Sequence, residues 1–439
     1  MLSALMDFSR TRPVRMHIPG HKGIDPFALD FTELPPTGDL YRDDREDAPI
    51  RQAEAGGADV FGADVCCFLT GGSSQGIAAA LAALTEPGGR ILLDRCYHTA
   101  FTHAMAMLDL HPLPLARTFS PSGLCLPLPP ADLDSGLRAH PDIKTVCITS
   151  PTYYGVLSDI PALADVCRRR NARLFVDAAH GAHFPWAGLG HPAQGADLFV
   201  CSAHKTLPAL GQAALLFGRA TGPEGRALLS RLRRATSWFG TASPSYLLMA
   251  SIDAAFDWLQ TAGTGRWAQN LKTICNLRAK YDILSQETAI SDPFRITARV
   301  ADWGYSGHRA AEIWQTRFNL WPELADARQT VCVATAADGA EEFAVLDAAL
   351  EFLFDNRRPP LAAPPMAFPP TRRVCSPRTA LLGPSRPVRL DRANGLTAAE
   401  DILLYPPGIP LCAAGQAIDA PALTAYGLPP DRTVSVRAG

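Results

Sequence analysis

Between Phe61 and Phe217, short apolar or β-branched runs alternate with longer amphipathic segments. This alternation is typical of folds in which helices cross over between parallel strands, because such strands are buried on both faces. The pattern predicts an α/β fold with a mostly parallel, doubly wound sheet. The expected strands are Val65–Leu69, Arg90–Leu93, Thr145–Thr149, Arg173–Asp177, Asp197–Ser202 and Ala213–Phe217, with intervening helices at Ser74–Leu84 and Ile160–Arg169.

The length of 439 residues exceeds what one hydrophobic core usually supports, so several domains are expected. A long helical pattern at Trp267–Glu287 and β-like runs at Phe294–Val300 and Thr330–Thr335 indicate a smaller α+β domain. Six prolines in Arg357–Pro370 favour an extended connector. We expect an N-terminal arm (1–40), a large domain (41–260), a small domain (261–360) and a C-terminal subdomain (361–439).

Composition excludes several classes of function. A net charge of −2 with no strongly basic stretch argues against nucleic acid and anionic membranes as partners. No run approaches the ~20 apolar residues of a membrane span, and the apolar start meets Asp7 too early for a signal core, so we expect a cytoplasmic protein. Eleven cysteines without a CxxC spacing predict free, buried thiols. His180 and His183 could share a helix face, but no third ligand is near, and no metal is expected.

Residues able to do chemistry follow the predicted strands. They lie where the carboxyl ends of parallel strands meet, which is where such sheets bind ligands. They are Gly71–Ser74, Asp94, His98, Ser150–Tyr154, Asp177, His204 and Lys205.

The loop Gly71–Gly76 joins a strand to a helix, so its backbone N–H groups and the hydroxyls of Ser73 and Ser74 could bind a phosphate. An ordinary glycine turn with a serine helix cap is the alternative. The sequence matches neither a Walker loop nor a dinucleotide-binding fingerprint.

Asp177 ends an apolar strand, where a buried carboxylate needs a cationic partner such as a pyridinium nitrogen. The alternative is a cap on the next helix. Lys205 follows the next strand, and partial desolvation there would lower its pKa and suit Schiff-base chemistry. An ordinary surface lysine is the alternative for Lys205, and a structural histidine is the alternative for His98, which could lie against a planar ring.

Together these residues resemble fold type I pyridoxal-phosphate (PLP) enzymes, and among them the short form of the Orn/Lys/Arg decarboxylase family. The similarity runs from about Arg15 to Gly415. The motifs that carry it are Met16–Gly23, Leu29–Leu34, Gly38–Leu40, Asp94–His98, Asp177–Phe184, Ser202–Leu207, Ser243–Ser251 and Tyr405–Pro410.

The resemblance implies a role for each matching residue. Lys205 would carry PLP as a Schiff base, Asp177 would pair with the pyridine nitrogen, and His98 would stack on the ring. Ser73, Ser74, Ser202 and His204 would bind phosphate, and His180 would lie beside the ring. Residues 241–245 resemble a segment that reaches a neighbouring subunit's site, so a homodimer or higher homo-oligomer is implied.

The implied reaction is decarboxylation of arginine, lysine or ornithine to the amine and carbon dioxide. Another PLP reaction, such as transamination or elimination, and a catalytically silent homologue with a binding or regulatory role are the alternatives. Four residues depart from the family pattern and bear on the substrate: Ala178, Gly211, Phe217 and Gln416.

Overall fold

A computed structural model describes most of the chain. The described residues are 14–16, 48–190, 194–220, 222–242, 244–284, 288, 290–362, 368–369, 371–404 and 408–438. Most of the N-terminal arm and of its family motifs, Ser243, and Tyr405–Pro407 of the C-terminal motif lie outside them.

A seven-stranded sheet lies within residues 41–260, the expected large domain, in the order β2-β8-β7-β6-β5-β3-β4. All pairings among β7, β6, β5, β3 and β4 are parallel, whereas β8 is antiparallel to both of its neighbours. Since β2 pairs with β8 in turn, β2 runs in the same direction as the parallel strands. The strands are β2 (Val65–Leu69), β3 (Arg90–Asp94), β4 (His111–Leu115), β5 (Thr145–Thr149), β6 (Arg173–Asp177), β7 (Leu198–Cys201) and β8 (Ala214–Gly218).

The helices of the large domain cover this sheet, as the predicted α/β pattern requires. The bounds of the two predicted helices are close to those observed. The helices are α1 (Pro49–Phe61), α2 (Gly72–Leu84), α3 (Ala100–Leu108), α4 (Pro130–Ala139), α5 (Ile160–Arg169), α6 (Ala203–Thr206), α7 (Gly222–Trp238) and α8 (Tyr246–Gln260).

Sequence reasoning missed one strand of the sheet. β4 reads His-Pro-Leu-Pro-Leu, and two prolines in five residues lack the N–H groups that a central strand must donate. β4 lies at the edge of the sheet and pairs only with β3, which is the position in which a strand tolerates proline.

Residues 261–360, the expected small domain, contain an antiparallel sheet in the order β11-β12-β9. Near it, the short strand β1 (Val14–Met16) pairs in parallel with β10. The elements are α9 (Arg266–Lys280), β9 (Arg295–Ala298), α10 (Gly307–Phe318), β10 (Leu320–Pro322), β11 (Leu324–Ala325), β12 (Thr330–Val333) and α11 (Ala340–Asp355), with 3-10 turns at Asp282–Leu284 and Val300–Trp303.

The C-terminal region has its own apolar cluster, in which Leu390, Leu423 and Val436 are buried. Residues 357–362 before it contain no helix or strand, as expected for a connector. The elements of the region are α12 (Pro377–Leu382), β13 (Ser385–Arg389), β14 (Ile402–Leu404), β15 (Ile409–Cys412), α13 (Ala420–Ala425) and β16 (Thr433–Arg437), with a 3-10 turn at Leu390–Arg392.

Cys96 and Cys125 form a disulfide, so the expectation of free thiols was wrong for this pair. The bond joins the end of β3 to a loop 29 residues away, a long-range proximity that cysteine spacing alone does not reveal. Of the other nine cysteines, seven are buried. Within the described part of the chain, no helix combines the length and apolar character needed to cross a membrane.

Candidate active site

A cavity lies beyond the carboxyl ends of the parallel strands. Five of the eight predicted site residues line it, since β2, β3, β6 and β7 all end at this edge of the sheet. The lining residues are Ser73, Cys96, His98, Thr149, Tyr153, Asp177, Ala179, His180, Lys205 and Ile409. Ser74 and His204 are sequence neighbours of lining residues, and Ser202 lies three positions before Lys205, but none of the three is in the wall.

Lys205 belongs to the single-turn helix α6, which begins directly after β7. Burial lowers the pKa of Lys205 to about 8, while the negative charge of Asp177 opposes that shift. Two residues of the small domain also act on it, because Arg295 lowers this pKa and Glu323 raises it. Lys205 is therefore an amine that is partly neutral near neutral pH.

Asp177 is the last residue of β6 and is 3% exposed. Its Oδ1 accepts a hydrogen bond from the Ala179 N–H at 3.1 Å. Burial raises the pKa of the Asp177 carboxyl, and the charge of Lys205 pulls it back down. A carboxylate in this position is stabilised by a cation brought into the cavity.

His180 contacts Lys205 on one side and Arg295 on the other. Arg295 Nη2 lies 2.6 Å from His180 Nδ1, and His180 Nε2 lies 3.2 Å from Lys205 Nζ. Burial first, and then the charges of Lys205 and Arg295, hold the pKa of His180 well below its usual value, so the ring is neutral. A guanidinium only donates, so Nδ1 accepts and Nε2 carries the ring hydrogen, which points at the lone pair of a neutral Lys205 amine.

Tyr153 links the cavity to a carboxylate of the small domain. Its Oη donates to Glu323 Oε1, and its ring meets that of His180 edge-on at 4.9 Å. The neighbouring Tyr154 donates to Asp326 Oδ2 at 2.6 Å. These bonds bring Glu323, a half-buried acidic residue, close to Lys205.

Arg295 and Glu323 were not predicted as site residues. Arg295 lies 115 positions from His180, and Glu323 lies 170 positions from Tyr153. Both lie in sequence patterns typical of ordinary strands. Their proximity to the candidate site depends on how the small domain packs, and no local sequence signal indicates it.

His98 follows β3, lines the cavity and is exposed. Its Nδ1 accepts a hydrogen bond from the Ala100 N–H at 3.1 Å. Desolvation, followed by the positive charges of Lys205 and His103, lowers the pKa of His98 to about 4. His98 is therefore neutral at pH 7, and it is the residue that can cover a planar ligand without adding charge.

The predicted phosphate ligands cluster around the start of α2 and the start of α6. Ser73 and Ser74 lie in the first turn of α2, where backbone N–H groups are unpaired. Ser202 is fully buried, and its Oγ has no hydrogen-bond partner among the described residues. His204 Nδ1 donates to the Ala213 carbonyl at 2.9 Å.

Sequence comparison places the chain in a family. Residues 1–299 match the family described as "Orn/Lys/Arg decarboxylase, major domain". The chain belongs to the Orn/Lys/Arg decarboxylase family.

Relatives of this Orn/Lys/Arg decarboxylase family member cover nearly the whole chain. It is 28% identical to an arginine decarboxylase of Bacillus cereus, over 94% of this chain and 96% of the relative. It is 30% identical to the uncharacterized protein YaaO of Bacillus subtilis, over 95% of this chain and 91% of the relative.

Solved structures show the same fold. Lysine decarboxylase A from Pseudomonas aeruginosa superposes with a TM-score of 0.72 at 18% identity, covering 92% of this chain and 73% of that one. Fold type I PLP enzymes outside the family are also similar. One is a pyridoxamine-pyruvate aminotransferase from Mesorhizobium loti, with a TM-score of 0.55 at 18% identity, covering 70% of this chain and 83% of that one. The fold type I architecture predicted from the sequence is thus confirmed.

The C-terminal family motif Tyr405–Pro410 reaches the active site through its last residues. Ile409 lines the cavity, while Arg95 donates to the carbonyls of Pro410 and Leu411, the second at 2.7 Å. Arg95 itself follows β3, so the C-terminal region closes one wall of a cavity formed mainly by the large domain.

The four departures from the family pattern lie outside the cavity wall. Phe217 stacks on Phe61 and Phe199 in the core, with ring centroids 4.4 and 4.6 Å apart. Gln416 accepts from the Ala413 N–H, Ala178 is fully buried, and Gly211 is exposed. None of them therefore lines the site in which a substrate would bind.

His183 has a structural role. It lies with His180 in a series of turns, and not on the helix face that their spacing allowed. Its Nε2 contacts Asp292 Oδ1 at 3.2 Å, and its ring stacks on Trp267. No group of three or more metal-ligating side chains occurs in the part of the chain that the structure describes.

Proposed function

We propose that this chain is a PLP-dependent decarboxylase of a basic amino acid. The observation that carries the proposal is the convergence of Lys205, Asp177 and His98 in one cavity, whose lining residue Tyr153 donates a hydrogen bond to Glu323. Family membership and the full-length arginine decarboxylase relatives support it.

The residues of the cavity fit PLP. The buried Asp177 offers a counter-ion for the pyridine nitrogen, and Lys205 offers an amine for the aldehyde. Ser73, Ser74 and the unpartnered Oγ of Ser202 offer donors for the phosphate, with His204 nearby. His98 would cover one face of the ring, and His180 would lie at its edge. When bound, PLP acts as the electron sink for the pair of electrons that carbon dioxide leaves at Cα.

Each side chain has a separate task. Asp177, once ionised, would pair with the pyridine nitrogen of bound PLP and so keep a proton on it. Tyr153 and Ile409 restrict the approach of water to the reacting atoms. His180 Nε2 lies 3.2 Å from Lys205 Nζ and so helps to fix the position of the amine.

Lys205 is the better candidate for the residue that returns a proton to Cα. Its pKa of about 8 lets Nζ both hold and release a proton near neutral pH, whereas His98, with a pKa of about 4, is neutral there.

Glu323 supplies the counter-charge for the cationic end of the substrate. An arginine guanidinium can bind a carboxylate through two parallel hydrogen bonds, while lysine and ornithine can donate from a single ammonium group. We rank arginine first because full-length relatives carry that activity in their names.

We also propose that the working unit is a homodimer or higher homo-oligomer. Thr241, Ala242 and Ser245 are exposed in the single chain, and they belong to the segment expected to reach a neighbouring site. Analytical ultracentrifugation should give at least twice the 47.1 kDa of one chain; a monomer that retains full activity would contradict this part of the proposal.

The test is a substrate panel on PLP-loaded protein, with release of carbon dioxide and amine as the readout. At least one of arginine, lysine and ornithine should react. Glu323→Gln should lower kcat/KM for that substrate by roughly 10- to 100-fold, as expected for the loss of a charged hydrogen bond. Glu341→Gln, at an exposed position in the first turn of α11, is the matched control. Turnover of a neutral amino acid while all three basic ones stay unreacted would refute the proposal.

A further inference from the structure

The side chain of His98 is attached to the turn that carries it. Within the described part of the chain, its ring has one hydrogen bond, from the Ala100 N–H to Nδ1 at 3.1 Å. The carbonyl of His98 accepts from the Phe101 N–H at 2.9 Å. Both partners belong to the first turn of α3, which begins at Ala100. The place of the ring in the cavity therefore depends on where this turn is held.

Thr99 connects this turn to the C-terminal region. It directly precedes α3, where a threonine hydroxyl usually accepts a hydrogen bond from an N–H of the first helical turn. The Thr99 side chain makes no such bond. Its Oγ1 instead donates to Asp401 Oδ2 at 2.7 Å, across 302 positions of the chain. The hydroxyl thus serves a contact between distant segments, and not the cap of its own helix.

Asp401 is engaged through both of its oxygens. Oδ2 accepts from Thr99, and Oδ1 accepts from the Ala414 N–H at 2.9 Å. Ala414 is fully buried and closely follows β15, whose first residue, Ile409, lines the cavity. Asp401 therefore joins the turn of His98 to the segment that provides another wall residue of the same cavity. The sequence gave no reason to predict Asp401 as a site residue.

We propose that Asp401 is a positioning residue for His98, acting through Thr99, so that the imidazole stays in place to cover bound PLP. This inference rests on the proposed role of His98 at the cofactor. Asp401 is not among the residues that line the cavity, so it acts through its neighbour. A hydrogen bond to a charged acceptor is roughly twice as strong as one between neutral groups, which suits this contact to holding a turn in one position.

The first test is a double-mutant cycle on PLP affinity, measured by titrating the full-length apoprotein with PLP. Thr99→Val removes the donor at nearly constant shape, and it should weaken PLP binding by roughly 2- to 30-fold. In a His98→Ala background, the same substitution should change Kd by less than ~2-fold, because the residue through which it acts is gone. Equal effects in the two backgrounds would overturn the proposal.

The acceptor side of the contact is tested in the same way. Asp401→Asn has one acceptor oxygen in place of two, so it too should weaken PLP binding. The matched controls are Thr316→Val, which loses an exposed hydroxyl hydrogen bond on α10, and Asp391→Asn, which loses an exposed ion pair with Arg389. Each control should leave Kd within ~2-fold of the wild type. Controls that weaken binding as much as the site variants would overturn the proposal.

A readout without PLP separates this inference from the proposed function. Burial, followed by the charges of Lys205 and His103, lowers the pKa of His98 to about 4. Thr99→Val changes no charge, so a His98 pKa that moves from about 4 toward its ordinary 6.5 would report that the ring has left its place. NMR titration of the histidine rings in the two apoproteins measures this shift.

An unchanged His98 pKa in Thr99→Val would overturn the positioning role, whether or not PLP binds. Failure of the wild type to bind PLP would refute the proposed function instead, and the His98 titration would still decide the role of Asp401.

Discussion

Lys205 is one of only five lysines in the chain, and its chemistry is set by neighbours from both domains. Burial lowers its pKa more than any single charge does, and the charges then adjust the value in both directions. The charged and titratable groups around it are Asp177, His180, His98, Arg295 and Glu323.

The rate at which the apoprotein attaches PLP should therefore depend on pH in a defined way. Only the neutral amine reacts, so the rate should rise with pH, pass its midpoint near the Lys205 pKa of about 8, and then level off. Stopped-flow absorbance measures this directly. A rate that keeps rising beyond pH 10 would mean that Lys205 behaves as an ordinary lysine.

The two charges of the small domain should move this midpoint in opposite directions. Arg295→Met removes a positive charge and should shift it upward, whereas Glu323→Gln removes a negative charge and should shift it downward. Arg309→Met, at an exposed pair on α10, should not move it. Shifts in the same direction in both site variants would show that structural damage, and not charge, is being measured.

At the scale of elements, the parallel strands could be predicted from the sequence because they are continuous apolar runs with polar residues at their ends. β4 could not be predicted, because its two prolines are tolerated only in a strand at the edge of a sheet. The sequence does not reveal which strand lies at the edge. Prediction of the candidate site from the sequence is limited in the same way. Asp177 ends β6, Lys205 follows the adjacent strand β7, and both were predicted, whereas Arg295 lies on β9, 115 residues from its partner His180.

Gly155 leaves room for Arg295 to contact His180. Its φ is +86°, and a Cβ there would lie 2.7 Å from both Cβ and Cγ of Arg295. Gly155→Ala should cost ~1–2 kcal/mol for the left-handed backbone and a further ~1–3 kcal/mol for the overlap. Gly88→Ala has a similar φ of +77° with nothing within 4 Å, so it should cost only the first amount. Denaturant unfolding of both variants measures these costs. Equal losses in the free energy of unfolding would show that overlap with Arg295 adds no cost at Gly155.

The ends of β3 and β5 are held by a buried ion pair. Arg117 Nη2 lies 2.5 Å from Asp94 Oδ2, both side chains are inaccessible, and Asp94 also accepts from the Thr149 N–H. Arg117→Met leaves the carboxylate without its partner and should lower the free energy of unfolding by ~3–5 kcal/mol.

Arg90→Met is the control, because Arg90 pairs with Asp142 at 2.8 Å on the surface. This exposed pair should contribute no more than ~1 kcal/mol. Similar losses in the free energy of unfolding for Arg117→Met and Arg90→Met would contradict the claim that burial makes the Asp94 pair more costly to break.

At the scale of the whole molecule, three regions contribute to one site. The large domain provides Lys205, the small domain provides Glu323 and Arg295, and the C-terminal region provides Ile409. The sequence indicated the large-domain part, because those residues lie at strand ends. The contributions of the small domain depend on packing between distant segments, which local patterns do not encode.

The C-terminal region should stay attached after the chain is cut before it. Arg357 lies in the exposed connector, and Arg95 and Thr99 bind the carbonyl of Leu411 and the carboxylate of Asp401 at 2.7 Å each. After limited trypsin digestion, the two fragments should co-elute on size exclusion. Arg95→Met should weaken the association by roughly 10-fold or more. Fragments that separate in the wild type would show that these contacts do not hold the region in place.

We expect Lys205 to carry the cofactor in the cavity formed at the strand ends. Borohydride reduction of the PLP-loaded protein, followed by peptide mass spectrometry, tests it most directly, since Lys144, Lys272 and Lys280 serve as internal controls. We expect the pyridoxyl group on the peptide that contains Lys205, and no stable modification in Lys205→Ala. A pyridoxyl group on another lysine, or a visible cofactor band that survives Lys205→Ala, would contradict the account.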